Sequence, residues 1–288
     1  MLETEIKQAL TRYIFLLELL NHIIEKTDSA LSNDNRWFAF APKIGRKFLN
    51  QAVTLHLLFS EKQLEIDGQP PKRFEDISAL YTLLRMQLET HALFYHLFIP
   101  GISIEENILR FRLWELDGIR TRIRLNIEKS QKQLTKKLAD QEYLQTIEQA
   151  ISGLPYYQKL APNTQKFLTD KAIWRFTDSS LKNKPLKAIS YDQLIRQAGI
   201  REDLYSHLYS YLSTHTHPGY HGVVQNFSAT QDELTTARYV AIMTSCYVTS
   251  FMIEDFCRRF GLARKILDNL TEADREVYES IRSAGRTT

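Results

Sequence analysis

Residues 74–99 read "FEDISALYTLLRMQLETHALFYHLFI" and are followed at once by Pro100-Gly101. No glycine or proline interrupts the run, and apolar residues occupy most of its faces. A helix that is apolar nearly all round belongs at the centre of a core. The stretch therefore predicts a long buried helix and sets the class of the whole chain as all-α, a helical bundle. With Arg85 as origin on the helical wheel, Tyr81, Glu89 and His96 all fall within about 40° of it. One polar stripe thus runs along an otherwise apolar helix. A lone buried arginine or glutamate costs several kcal/mol, so such charges need partners. Arg85 and Glu89 stand at i,i+4 and can pair with each other. Two readings stay open: the wet face of the helix, or a charge pair lining a cleft.

Working outward, the same period recurs. Ile6, Leu10, Tyr13, Leu17, Leu20 and Ile24 step by four and three through residues 2–28. A second helix is expected from Pro42 to Ser60, ended by "EIDGQPP", a turn by composition. Ser103 and Glu106 have capping-box spacing and open a long helix with a stripe of Phe111, Ile119, Ile123 and Ile127. That stripe thins in "EKSQKQLTKKLADQE" (128–142), which should project into solvent or form the tip of a helical hairpin. Residues 155–190 mix short helical pieces with turn residues. Residues 1–127 and 190–288 are read as the main bundle, and 128–189 as a helical insertion or subdomain. Further helices are expected at 190–198, 201–216, 231–261 and 271–283. No strand pair shows a convincing period of two.

Bulk composition agrees. Only 10 glycines and 8 prolines serve 288 residues, and 43% apolar against 25% charged residues is globular rather than disordered. A net charge of +3 permits RNA or DNA binding without arguing for it. The arginine-rich run 110–126 spreads its arginines over several faces and interleaves Glu115 and Asp117, so it reads as a solvated, salt-bridged surface. Cys246 and Cys257 lie eleven apart in one apolar helix, about 16 Å by helical rise, too far for a disulfide. They read as small buried residues of a cytoplasmic protein. The most apolar run, 239–253, is 15 residues and includes serine and threonine, so a buried helix is expected and no membrane span. The acidic, amphipathic N-terminus is not a signal peptide by pattern.

The second unusual stretch is "YSYLSTHTHPGYHG", residues 209–222. Tyr209, Ser213 and His217 climb one side of a helix at i, i+4, i+8, and Pro218 disfavours helical geometry at His217. Histidines at a helix C-terminus are favoured by the dipole. Arg85 and Glu89 with Tyr209, Ser213, His217 and His96 form the candidate binding set. Arg85 would be the anion clamp, His217 a general acid or base, and Ser213 a candidate nucleophile. His215, His217 and His221 are the weak metal candidates, with no carboxylate or cysteine nearby in sequence to complete a shell.

Other chemistry is absent by motif. The chain lacks a phosphate loop, a Gly-x-Gly-x2-Gly turn, His-Glu-x2-His, Cys-x2-Cys, Glu-x2-His and Gly-x-Ser-x-Gly. No cofactor is expected. Helical ribonucleases of the HEPN superfamily carry arginine, four to six residues, then histidine. Arg85…His91 and Arg201…His207 fit that spacing, making Arg201 and His207 further catalytic candidates. With 20 arginines and eight histidines, roughly two such matches arise by chance, so the spacing alone identifies nothing.

The segments "RMQLE" and "YSYLSTHTHP" together resemble a bacterial family of all-helical proteins of unknown function. That family shows an Arg-x3-Glu helix and, later, a Tyr-x3-Ser-x3-His-Pro helix end. The matching positions are Arg85, Glu89, Tyr209, Ser213, His217 and Pro218. The resemblance implies a helical bundle in which the two motif helices face each other, and it implies no reaction. The sequence therefore supports a ligand-sensing or partner-binding protein, with bacterial stress or defence as its setting. The alternative is a metal-independent HEPN-like ribonuclease. The partner would be a small anion or nucleotide, or a protein, with RNA and a homo-oligomer both allowed.

Overall fold

The computed structural model describes residues 2–31, 36–59, 63–64, 72–73, 76–99, 101, 103–125, 130–182, 186–201, 207–216 and 220–286. The fold is all-α. In chain order the described helices are α1 (Leu2–Ala30), α2 (Ala41–Leu58), α3 (Ile77–Phe98), α4 (Ile104–Arg124), α5 (Gln131–Ser152), α6 (Pro155–Gln158) and α7 (Pro162–Asp170). They continue with α8 (Asp178–Lys182), α9 (Tyr191–Gln197), α10 (Leu208–His215), α11 (Tyr220–Ser228), α12 (Gln231–Arg259), α13 (Gly261–Asp268) and α14 (Glu272–Gly285).

Local chemistry sets their ends. Ser103, Ser130 and Thr271 each cap a helix, accepting a hydrogen bond from a first-turn backbone N–H. Thr230 and Glu233 complete a reciprocal capping box at α12. Prolines sit in the first turn of α2, α6 and α7, where the missing N–H costs nothing.

The chain divides into two compact units, residues 1–95 with 195–288, and residues 96–194. The insertion expected at 128–189 lies inside the second unit, which also takes α4. In the first unit, α1 packs most extensively on α12 and also on α2. Ile6, Tyr13, Leu17, Leu20 and Ile24 of the expected stripe are buried. Gly45 lets α2 approach closely: a Cβ there would meet the Phe256 ring at 2.6 Å. Tyr13 crosses this core as a polar strut. Its hydroxyl reaches the Ala52 carbonyl at 3.1 Å and Ser245 Oγ at 2.5 Å, and Ser245 in turn donates to Gln87. α3 meets α12 through longer side chains, Phe94 stacking on Phe256 at 4.6 Å.

In the second unit α4 and α5 form the helical hairpin that the thinning stripe suggested. Tyr143 donates to Glu115 at 2.6 Å, Arg120 to Glu148 at 2.8 Å, and Arg122 clasps Asp140. The capping serine at 103 is as expected, but Glu106 turns to pair with buried Arg110. Phe111 and Ile119 are buried, and Ile127 lies outside the described residues.

Residues 63–64 and 72–73 form a short antiparallel pair, Gln63 opposite Arg73, on either side of the expected turn. Two residues per strand are too few for any period to show. Of the helix expected over 201–216, Leu208–His215 is helical, and residues 202–206 lie outside the described residues. Two helices, α11 and α13, were not anticipated. α11 carries a glycine and paired valines, which lower helix propensity, and Phe260 breaks the 231–261 run by turning extended between α12 and α13.

α12 is the one helix among the described residues that is long and apolar enough to cross a membrane, and 72% of its most apolar window is buried in protein. Cys246 and Cys257 are both buried free thiols, and burial pushes both pKa values up to about 12.

Candidate functional site

α3 and α10 bring part of the expected constellation together. Arg85 Nε donates to Glu89 Oε1 at 2.9 Å, closing the i,i+4 pair. Its Nη2 reaches the Tyr209 hydroxyl at 3.3 Å, and that hydroxyl donates to Glu89 at 2.8 Å. Arg85 also stacks over the Tyr209 ring, 5.1 Å from its centre. Its Nη1 donates to Thr216 Oγ1 at 2.7 Å. The Arg85 and Glu89 side chains keep 23% and 26% of their exposure. Burial works against the charge on Arg85, but Glu89 and Tyr209 more than offset it and raise its pKa. Burial and the bond to Glu89 together lift the Tyr209 phenol to about 12.

Thr216 did not figure in the sequence reading, although it stands seven residues after Tyr209 and so on the same side of the helix. Ser213, one turn after Tyr209, turns its hydroxyl back to the Tyr209 carbonyl at 2.7 Å, as short hydroxyls in helices do. His217 and Pro218 lie outside the described residues.

The remaining candidates are elsewhere. His96 is buried, with Nε2 3.1 Å from the Trp174 carbonyl. Burial, then the nearby Arg110 cation, lower its pKa to about 3. His215 is also buried. Its Nδ1 is 3.3 Å from Ser78 Oγ, and its ring lies 4.8 Å and 5.0 Å from those of Tyr81 and Tyr211. The side chain of His221 is outside the description. Among the described residues no three histidines, cysteines or carboxylates gather where they could hold a metal ion. Arg201 donates to the Ala284 carbonyl at 2.9 Å, and its backbone N–H to Gly285. His207 is exposed at the start of α10.

A second ionic cluster escaped the sequence reading. His91 Nε2 lies 2.9 Å from Asp255 Oδ2, and neither side chain has any exposure. Asp255 also receives Arg286 at 3.0 Å and Arg258 at 3.4 Å. Arg286 is shared with Glu254, which Arg282 also reaches. Burial opposes the Arg286 charge, and Asp255 and Glu254 outweigh it. The signal was present: Glu254-Asp255 directly follows the most apolar run of the chain, and acids there must find cations. The same cluster bears on the arginine–histidine spacing. Six helical residues turn about 240°, so Arg85 and His91 point to different faces of α3.

A family of unknown function, DUF5677, matches residues 75–234, just over half of the chain. The chain belongs to this family. The matched segment contains all four members of the Arg85 cluster, whereas Asp255 and Arg286 lie beyond it. No curated protein and no solved structure matches the chain. A family of unknown function was expected from the sequence, and DUF5677 is one; it brings no reaction.

Proposed function

We propose that this DUF5677 protein is a binding module and that Arg85 is its anion-receiving group. The observation that carries this is how the guanidinium is held. Three of its five N–H groups are fixed by Glu89, Thr216 and Tyr209. One N–H on each terminal nitrogen remains uncommitted among the described residues, on a side chain still partly exposed. Two such groups suit a bidentate phosphate or carboxylate oxyanion, and a clamped arginine loses little entropy in binding one. Glu89 both orients the clamp and tempers its charge, which suits a reversible sensor more than a tight trap.

The ribonuclease alternative gains no support at the first of its two spacings, where His91 is sealed against Asp255. Burial of the α12 window supports reading α12 as a core helix and not a membrane span.

Phosphate and adenosine monophosphate are the probes of choice, titrated into 15N-labelled protein and followed by amide shifts. Binding should perturb residues around 85–89 and 209–216. Arg85→Lys keeps the charge but loses the fork, and should weaken binding about tenfold, the size of one charge-assisted hydrogen bond. Equal affinity in the wild type and Arg85→Lys, or shifts confined to other helices, would remove Arg85 from the role.

A further inference from the structure

A cavity of about 350 Å³ opens between α3, α10, α11 and the first turns of α12. That is the size of a small-molecule pocket. Its apolar surface comes from Ile77, Ala237 and Val240. Two tyrosines wall it. Tyr81 is 4% exposed and Tyr211 39%, their rings 5.4 Å apart and near perpendicular. Tyr211 is braced at its hydroxyl by Gln225, 3.1 Å away. His215 contacts both rings but does not line the cavity. The aromatic wall is therefore fixed before any ligand arrives.

Charge gives the pocket a sign. Asp232 and Glu233 are its only charged lining residues among those described, and no lysine or arginine joins them. Glu233 is already engaged: its carboxylate accepts from the Thr230 N–H and hydroxyl in the capping box. Asp232 is exposed, and no hydrogen bond or ion pair to its carboxylate exists among the described residues. An anion would meet two carboxylates here and no donor cation. A cation would meet one available carboxylate, a second engaged in the capping box, and two electron-rich aromatic walls.

We propose that this cavity is a site for a small organic ammonium ion carrying an apolar body. The apolar part would lie on Ile77, Ala237 and Val240, and the ammonium would sit against Tyr211 and Asp232. The site is separate from the Arg85 clamp in both residues and sign, so either can fail without the other.

The experiment uses the full chain and three probes of one shape: phenethylammonium, 2-phenylethanol and phenylacetate. Affinities are read by amide shifts at low salt. Phenethylammonium should bind at least about tenfold more tightly than phenylacetate, with the neutral alcohol between them, given one close carboxylate and a cation–π wall. Asp232→Asn should remove most of the preference for ammonium over alcohol, since Asp232 is exposed and its loss leaves the core untouched. Tyr211→Leu keeps an apolar wall but loses the ring, and should weaken phenethylammonium more than phenylethanol. Failure of phenethylammonium to bind in the millimolar range would overturn the proposal. So would equal binding of the three probes, or an unchanged preference in folded Asp232→Asn.

Discussion

Two ionic clusters are mounted on α3 within two turns of each other, and they differ in almost every respect that matters. The Arg85–Glu89 pair is partly open, and all its described partners come from α3, α10 and the residue that follows α10. The His91–Asp255 pair is sealed and is locked from outside by Arg286, near the end of the chain. Buried ion pairs are costly to break because one partner left behind has no water to turn to. Open pairs contribute little to stability, but they remain reachable by a ligand. The sealed cluster is built to hold the fold, and the openness of the other is what the proposed anion clamp rests on.

The largest effect should come from cutting the sealed cluster. Asp255→Ala would leave His91, Arg286 and Arg258 without their common carboxylate. The loss should be about 3–5 kcal/mol, read as a lower denaturant midpoint with little change in slope. A cost under about 1 kcal/mol would show that the cluster is not sealed in solution, and the contrast with Arg85 would collapse.

A second sealed histidine sharpens the comparison through pH. His96 has its folded pKa near 3, against an ordinary value of 6.5. Between these values the unfolded chain binds a proton that the folded chain refuses. Stability should therefore be unaffected above neutrality and fall as pH drops below about 6.5, by roughly 1.4 kcal/mol per pH unit until near 3. At pH 5 the deficit from this group is about 2 kcal/mol. His96→Gln should flatten that part of the acid limb. Equal acid sensitivity in wild type and His96→Gln would mean that His96 takes up protons freely in the folded state.

Why the open cluster was easier to read than the sealed one follows from the range over which each is specified. Arg85 and Glu89 pair by helical arithmetic alone, and Tyr209 announces its side of α10 by the same arithmetic. The buried helices of α1, α2 and α3 were legible for the same reason: their periods are local. The sealed cluster joins residues 91, 255 and 286, and no local period connects positions so far apart. His96 misled for a related reason. It shares the Arg85 stripe on the wheel, but it lies about three turns further on, where α3 passes into the second compact unit and its neighbour is Trp174. Thr216 obeys the i+7 rule, but a threonine beside His215 and His217 carries the weaker chemical signature. α11 was obscured because its own propensities are weak.

The smallest expected effect tests the open cluster itself. Were Arg85 and Glu89 fully buried, removing either would cost several kcal/mol. With about a quarter of each side chain exposed, water can solvate whichever partner remains. Arg85→Ala and Glu89→Ala should each cost only about 1 kcal/mol, near the upper end for exposed pairs because Tyr209 and Thr216 are also lost as partners. The double variant should cost less than the sum of the two, by about 0.5 kcal/mol, since residues sharing a network do not add. Tyr209→Phe removes the hydroxyl that touches both and should reduce that coupling. Strict additivity would mean that the pair does not act as a unit. A coupling of about 3 kcal/mol would place Arg85 with the sealed cluster, as a structural strut, and would take away the exposure on which its proposed role as an anion clamp depends.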